Sequence, residues 1–172
     1  SVTQQGSFGS DVTYVDIDPE IKSVAEQFFL NREIEENFIG EDARSFLASD
    51  HEKKWDSIVV DAYTGMTNIP RTLVTQEFFT LLKARIKPDG RLILNLLIRP
   101  DYSDPFSRGL DNTIRSVFPN CIADSMGIYE GVTNVVYTCF RNSQEDNIEI
   151  YSDSNSRHEV DSLMLMTQGL DK

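Results

Sequence analysis

Four polar sites in this sequence stand directly after short apolar runs, at positions where side chains can bind a ligand or move a proton. They are Asp16, the pair Glu41 and Asp42, Asp61, and Asn95. A carboxylate accepts hydrogen bonds from neighbouring hydroxyl or amino groups and can act as a general base, whereas an amide both donates and accepts. The pattern therefore predicts a nucleotide-type pocket with carboxylates at its rim.

The runs before these residues are predicted strands, and the segments between them have the spacing of helices. Strands that alternate with helices form a mostly parallel sheet, and ligands of such a sheet bind outside the carboxyl ends of the strands. The four polar sites would then line one crevice. Two further strands follow with no helix between them, so we expect them to pair antiparallel. The predicted strands are residues 11–17, 37–40, 55–60, 91–98, 121–126 and 134–140.

The composition indicates a single globular domain with an acidic surface. The 172 residues are 40% hydrophobic and carry a net charge of -12, from 16 basic and 28 acidic residues, which disfavours nucleic acid as a partner. This charge would attract a cationic small substrate, but charge alone favours the simpler interpretation that it keeps the protein in solution. No apolar run approaches the ~20 residues that span a bilayer, and no secretory signal pattern is present. We expect a cytoplasmic protein without a membrane partner, in which Cys121 and Cys139 are buried free thiols.

The acidic residues nearest the amino terminus have competing interpretations. Asp16, at the end of its strand, is predicted to accept hydrogen bonds from ribose hydroxyls, and Asp18 is predicted to cap the helix that begins near Pro19. Asp42 has two roles open to it, because it could accept from an adenine amino group or cap the helix that carries Ala43. One side chain cannot easily perform both functions, and this stretch alone does not decide between them.

Asp61 follows the run WDSIVV, whose continuous apolar character predicts a strand buried on both faces. A carboxylate there is costly unless it is paired or functional, so we favour a general base for an amine; orienting the following loop is the alternative. Asn95 would bind a substrate through its amide or satisfy a loop backbone. Tyr63 and Tyr129 lie in loops at the same rim and are further pocket candidates. Neither histidine has metal-ligand spacing, so no metal is expected.

Four stretches of the chain form a combined pattern: VDIDPEI, FIGEDARSFL, WDSIVVDAYTG and IPRTLVTQEFFTLLKARIKPDGRLILNL. Together they resemble the spermidine synthase family over residues 11–140. The resemblance implies an α/β, Rossmann-like methyltransferase fold with a mostly parallel sheet, an antiparallel last strand and helices on both faces. Residues 1–10 would be a loop or the remnant of an amino-terminal segment, and residues 141–172 a polar tail with a short terminal helix.

The resemblance also implies roles for single residues. Asp16 corresponds to the acid that holds the ribose of an adenosyl ligand, and Asp42, with Ala43 beside it, corresponds to the adenine contact. Asp61 corresponds to the catalytic Asp that deprotonates or orients the attacking amine. The family's second acid, three residues further on, is a threonine here, which weakens the assignment to polyamines. The candidate substrate-binding residues are Thr64, Asn95 and Tyr129.

The family activity implied for this chain is transfer of an aminopropyl group from decarboxylated S-adenosylmethionine to an amine such as putrescine, in a homodimer and without a metal. The alternatives are an S-adenosylmethionine-dependent methyltransferase of an unknown small molecule and a degenerate, non-catalytic scaffold. The family's earlier strand and glycine-rich turn would lie before residue 11, where only Gly6 and Gly9 stand. They are either missing or not represented in this sequence, and only the first case favours the scaffold. The retained Asp16, Asp42 and Asp61 favour catalysis.

Overall fold

The computed structural model describes residues 11–49, 52–63, 69–125 and 131–142. Strands and helices alternate through most of it: β1 (Thr13–Asp16), α1 (Ile21–Ala25), β2 (Asn37–Gly40), α2 (Ala43–Ser49), β3 (Trp55–Val60), α3 (Gln76–Arg85), β4 (Ile86–Ile98), α4 (Pro105–Val117), β5 (Cys121–Ser125) and β6 (Thr133–Phe140). A π-helical turn, Glu26–Leu30, extends α1, and a 3-10 turn, Arg71–Leu73, precedes α3. The predictions for Thr64, Tyr129, residues 1–10 and residues 143–172 lie outside the described residues.

The strands form two sheets. β1 and β2 pair in parallel, and the other four strands have the order β3-β4-β6-β5. In this larger sheet β3 is parallel to β4, and the remaining two pairings are antiparallel, so the prediction for the last two strands is confirmed. The single sheet that would carry one crevice is not seen, because within the described ranges no ladder joins β1 or β2 to the other strands.

The hydrophobic core lies on one face of the four-stranded sheet. Successive side chains of a strand point to opposite faces, and every second residue of β4 from Leu92 to Ile98 is buried. β6 repeats the pattern with Val135, Tyr137 and Cys139. Helices α3 and α4 complete the core with Phe78, Phe79, Leu82, Leu110 and Ile114. The helix α2 contacts both β1 and α3, so it connects the two-stranded sheet with this core.

The two longest helices begin at side-chain caps. Thr75 Oγ1 accepts a hydrogen bond from the backbone N–H of Phe78 at 3.3 Å in α3. Asp104 Oδ1 accepts from the backbone N–H of Ser107 at 2.9 Å in α4. Such bonds satisfy N–H groups that have no partner within the helix, and they fix where each helix starts after the preceding strand or loop.

The two cysteines form a disulfide. The register of β5 and β6 places Cys121 directly opposite Cys139, with their Cα atoms 4.1 Å apart and their sulfurs bonded. The prediction of free thiols is therefore wrong. The cysteines are 18 residues apart in the sequence, and only the antiparallel pairing brings them together. The expected cytoplasmic location therefore has no support from free thiols.

Candidate functional site

Parallel pairing brings the first polar sites together at the carboxyl ends of β1 and β2. Asp16 lies opposite Gly40, and the backbone N–H of Glu41 donates to the Asp16 carbonyl at 2.9 Å. A Cβ at Gly40 would lie only 2.9 Å from Pro19 Cβ, so glycine lets the chain entering α1 cross closely over the end of β2. We call Asp16, Glu41 and Asp42 the Asp16 cluster.

The Asp16 carboxylate is held by the loop that follows β1. Its Oδ1 accepts a hydrogen bond from the backbone N–H of Asp18 at 2.9 Å, and Asp18 Oδ1 accepts from the backbone N–H of Glu20 at 2.9 Å. Bonds of this kind are typical of Asx turns. Asp18 therefore stabilises the turn before α1. The prediction that it caps this helix is wrong, because α1 begins at Ile21 rather than near Pro19, and its N-cap residue is Glu20. The ribose-binding role of Asp16 stays a prediction.

Asp42 uses its side chain to cap α2. Its Oδ1 accepts a hydrogen bond from the backbone N–H of Ser45 at 3.0 Å, and its carbonyl accepts from the N–H of Phe46. This bond engages one carboxylate oxygen, and the adenine-binding role of Asp42 remains a prediction for the other. Ala43, the first residue of α2, is partly buried against the core.

The remaining polar sites meet across the parallel pair of β3 and β4. Val60 lies opposite Leu94, so the next residues, Asp61 and Asn95, are neighbours, and Asn95 Nδ2 donates to Asp61 Oδ1 at 3.0 Å. Asn95 does not end its strand, because β4 continues to Ile98 in antiparallel pairing with β6. It marks instead the point where β4 passes beyond the end of β3.

Asp61 is exposed rather than buried. The strand before it lies at the edge of the four-stranded sheet, and the Val59 side chain is 54% exposed. The prediction of a strand buried on both faces is therefore wrong for the described part of the chain, where β3 has a neighbour on one side only. The carboxylate is open to solvent and held by a hydrogen bond, so its accessibility suits contact with a ligand.

Tyr63 adds a contact that the sequence did not predict. Its hydroxyl donates to the backbone carbonyl of Asn95 at 2.8 Å. This bond attaches the loop after Asp61 to β4. Burial, and then the negative charge of Asp61, raise the pKa of Tyr63, so the hydroxyl keeps its proton at neutral pH. The feature of the sequence that could have indicated this contact is the position of an aromatic residue two places after Asp61. We call Asp61, Tyr63 and Asn95 the Asp61 cluster.

The Asp16 cluster and the Asp61 cluster lie at the carboxyl ends of strands in different sheets. Each is joined internally by the hydrogen bonds given above. In the part of the chain that the structure describes, no group of three or more His, Cys, Asp or Glu side chains is placed to hold a metal ion. The helices of that same part include none that is long and apolar enough to cross a membrane.

Similarity to known proteins extends over most of the chain. The spermine/spermidine synthase domain matches residues 7–148. A probable polyamine aminopropyl transferase of Bifidobacterium longum is 34% identical over 110 residues, which cover 64% of this chain and 24% of that protein. The N-terminal histidine N-methyltransferase of Emericella nidulans is 37% identical over 144 residues, which cover 77% of this chain and 25% of that protein. The chain spans about a quarter of the length of these curated relatives.

A solved structure with the same fold is human methyltransferase-like protein 13 in complex with SAH. It superimposes with a TM-score of 0.60 at 21% identity, and the match covers 93% of this chain and 71% of that one. Similarity at this level of identity shows the fold alone. The predicted Rossmann-like methyltransferase fold is therefore confirmed.

Proposed function

This chain belongs to the spermine/spermidine synthase domain family, and we propose that it is part of an enzyme that transfers an aminopropyl group from decarboxylated S-adenosylmethionine to an amine such as putrescine. The observation that carries the proposal is the exposed carboxylate of Asp61, which Asn95 holds at the carboxyl end of β3. A carboxylate in such a place suits a general base toward an amine. The name of the Bifidobacterium longum relative, a polyamine aminopropyl transferase, supports the same reaction.

The Asp16 cluster fits the adenosyl part of the donor. A carboxylate has about four lone-pair sites, and Asp16 uses Oδ1 for the N–H of Asp18, so its other oxygen can accept from ribose hydroxyls. Asp42 uses Oδ1 for the N–H of Ser45, so its other oxygen can accept from the adenine amino group, beside Ala43. The SAH bound in human methyltransferase-like protein 13 supports a ligand related to S-adenosylmethionine.

In the proposed step, the amine nitrogen attacks the methylene carbon next to the sulfonium of the donor. A carbon–nitrogen bond forms while the carbon–sulfur bond breaks, and its electron pair goes to sulfur, so methylthioadenosine leaves as a neutral thioether. The proton that the amine loses passes to the oxygen of Asp61 that Asn95 does not engage. The net charge of -12 attracts a cationic amine, and we assign Thr64 and Tyr129 as its further contacts.

A second candidate function is methyl transfer from S-adenosylmethionine to a small molecule. The 37% identity to the N-methyltransferase of Emericella nidulans favours it. The threonine at position 64 also favours it, because an acid there would help to bind a polyamine. Both candidate reactions use the same adenosyl site, and they differ in the donor that binds.

Calorimetric titration with methylthioadenosine, S-adenosylmethionine and its decarboxylated form tests the adenosyl site. Loss of a charged hydrogen-bond acceptor weakens binding by about tenfold or more, so we expect that effect from Asp16→Ala. The control Asp89→Ala removes an exposed acid near the amino end of β4 and should leave binding unchanged. Preference for the decarboxylated donor supports aminopropyl transfer, and preference for S-adenosylmethionine supports methyl transfer. Absence of binding to all three contradicts both functions for this chain and leaves a fragment or a scaffold.

Turnover tests the role of Asp61. Removal of a general base lowers the rate by about 10²- to 10⁴-fold, and we expect Asp61→Asn to lower the release of methylthioadenosine by that factor. The affinity for methylthioadenosine should stay unchanged, because the Asp16 cluster is intact in this variant. Equal turnover of the wild type and Asp61→Asn would overturn the assignment of Asp61.

A further inference from the structure

The contact between Asn95 and Asp61 follows from the register of β3 and β4. Ladder partners run in parallel up to Val60 and Leu94, so Asn95 is the first residue of β4 beyond the end of β3. Its side chain can therefore reach the chain that leaves β3, and Nδ2 donates to Asp61 Oδ1 at 3.0 Å. A shift of this register by one residue would separate the two groups.

The alternating direction of side chains along β4 determines the surroundings of the Asn95 side-chain amide. Leu94 and Leu96 are buried in the core, so Asn95, which stands between them, projects from the opposite face. Its Oδ1 is buried and accepts no hydrogen bond from the described residues. If the amide were rotated by half a turn, Oδ1 would face the carboxylate of Asp61, and two acceptors would repel each other. The unpaired oxygen is thus the consequence of directing the N–H group at Asp61.

Tyr63 stabilises this arrangement from the other side. Its hydroxyl donates to the Asn95 carbonyl at 2.8 Å, so the backbone of β4 binds the loop while the side chain of Asn95 binds Asp61. The loop residue next to these contacts, Ala62, is packed against the core. Asn95 therefore holds the first residues after β3 through two hydrogen bonds. Its side chain donates to Asp61, and its carbonyl accepts from Tyr63.

We propose that Asn95 is a positioning residue that holds one carboxylate oxygen of Asp61 so that the other faces the amine, an inference that rests on the proposed function. Asp61 is exposed and follows an edge strand, so its side chain would otherwise exchange between rotamers. A base held in one orientation is in the reactive geometry for a larger fraction of the time. This assigns Asn95 an action through Asp61, in place of the direct contact with substrate expected from the sequence.

Kinetics of Asn95→Ala distinguish positioning from substrate binding. A misplaced catalytic group costs roughly 10- to 100-fold in rate, so we expect kcat to fall by that factor with KM for putrescine unchanged. If Asn95 instead bound the substrate directly, KM would rise with kcat unchanged, and the inference would be wrong. The matched control is Asn134→Ala, an exposed amide on β6 that lies opposite Leu97 and should leave both constants unchanged.

A second measurement does not depend on turnover. The side-chain amide protons of Asn95 can be followed by NMR while the pH is lowered. If Nδ2 donates to Asp61 in solution, their chemical shifts should move as that carboxylate takes up a proton. The movement should disappear in Asp61→Ala, in which the acceptor is absent.

The two measurements separate the failure of this inference from the failure of the proposed function. An amide shift that follows Asp61, together with the loss of kcat, supports the positioning role. If the amide shift follows Asp61 in a protein that transfers no group from either donor, that result overturns the proposed function and therefore also the positioning role. The contact between Asn95 and Asp61 then still stands. An amide that does not respond to Asp61 overturns the positioning role in an active enzyme.

Discussion

The two sheets carry polar clusters of similar placement but differ in what supports them. From Thr13 to Gly40, the elements around β1 and β2 contain no buried residue, and Phe28 and Phe29 are 73% and 75% exposed. In the four-stranded sheet, β4 and β6 instead hold a continuous row of buried side chains. Regions with few buried contacts open more readily. The proposed adenosyl site therefore lies on the two-stranded sheet, which has fewer buried side chains. The proposed base lies on the four-stranded sheet, which we expect to be the more stable of the two.

Two arginines link these halves through α2. Arg85, which is only 3% exposed, donates from Nε to the carbonyl of Leu47 at 2.8 Å. Arg44 donates from Nη1 to the carbonyl of Thr72 at 3.0 Å. Since α2 also contacts β1, the position of the two-stranded sheet depends on these bonds as well as on apolar packing.

The largest expected effect comes from truncating the core of the better supported half. Ile114 in α4 is fully buried, and Ile114→Ala should lower the free energy of unfolding by about 2–5 kcal/mol, because it leaves a cavity. The same change at Ile21 in α1, which is 41% exposed, should cost less than about 1 kcal/mol. Urea unfolding measures both. Equal losses would show that α1 is as well packed as α4 and would remove the contrast.

Breaking the link between the halves should have the next largest effect. Arg85→Met removes the donor to the Leu47 carbonyl and should cost about 1–3 kcal/mol, whereas Arg71→Met, at an exposed site, should be close to neutral. Amide hydrogen exchange should then show faster exchange in β1 and β2 than in β4 and β6. If Arg85→Met instead loses protection from amide exchange first in β4, the two-stranded sheet does not depend on α2 in this way.

A smaller effect is expected from a buried tyrosine in the four-stranded sheet. The Tyr137 hydroxyl donates to Asp111 Oδ1 at 2.8 Å and lies 3.0 Å from the Tyr102 hydroxyl. Burial, and then these two neighbours, raise the pKa of Tyr137 well above its usual range. Tyr137→Phe should cost about 1 kcal/mol at neutral pH through the lost hydrogen bond.

The pH dependence of the same variant has a defined sign. Because the folded pKa of Tyr137 is raised, its contribution to stability is complete below the ordinary tyrosine pKa of about 10 and is lost as the pH rises above it. The free energy of unfolding should therefore fall less steeply above that pH in Tyr137→Phe than in the wild type. Parallel curves for the two proteins would show that Tyr137 ionises as readily in the folded state as in the unfolded chain.

The smallest effect is expected in the exposed loop between β4 and α4. Hydrogen bonds, first from Arg99 and then from Ser103, lower the pKa of Asp101 to about 2. A lowered pKa stabilises the fold above the ordinary value of about 4, and this contribution is lost as the pH falls toward the folded value. An NMR titration of the Asp101 carboxyl should show the low midpoint, and Arg99→Gln should raise it. An unchanged midpoint in this variant would exclude Arg99 as the main cause.

Local features of the chain were largely predictable from the sequence. The alternation of strands and helices, the antiparallel pairing at the end and the placement of Asp16 and Asp61 at strand ends all depend on residue types over short distances. The turn at Asp18 is also local, since its side chain accepts from the backbone N–H of Glu20. Asp42 could not be decided in this way, because its cap and its predicted adenine contact require the same chemical group.

Contacts between distant residues were not predictable. Asp61 and Asn95 are 34 residues apart in the chain, and the bonded cysteines are 18 apart. Such pairs depend on which strands become neighbours and in what register, and a shift of one residue reverses the face of every side chain. The exposed edge position of β3 is of the same kind, since WDSIVV has the composition of a central strand.

The sequence by itself therefore determined the chemistry available at the ends of the strands: carboxylates at Asp16, Asp42 and Asp61 and an amide at Asn95. Tertiary structure decided which of these groups touch. It placed the amide of Asn95 on Asp61 and left Asp61 at an exposed edge. The physical reason is that residue types and local hydrogen bonds are properties of short segments, whereas strand order and register are set by burial over the whole chain.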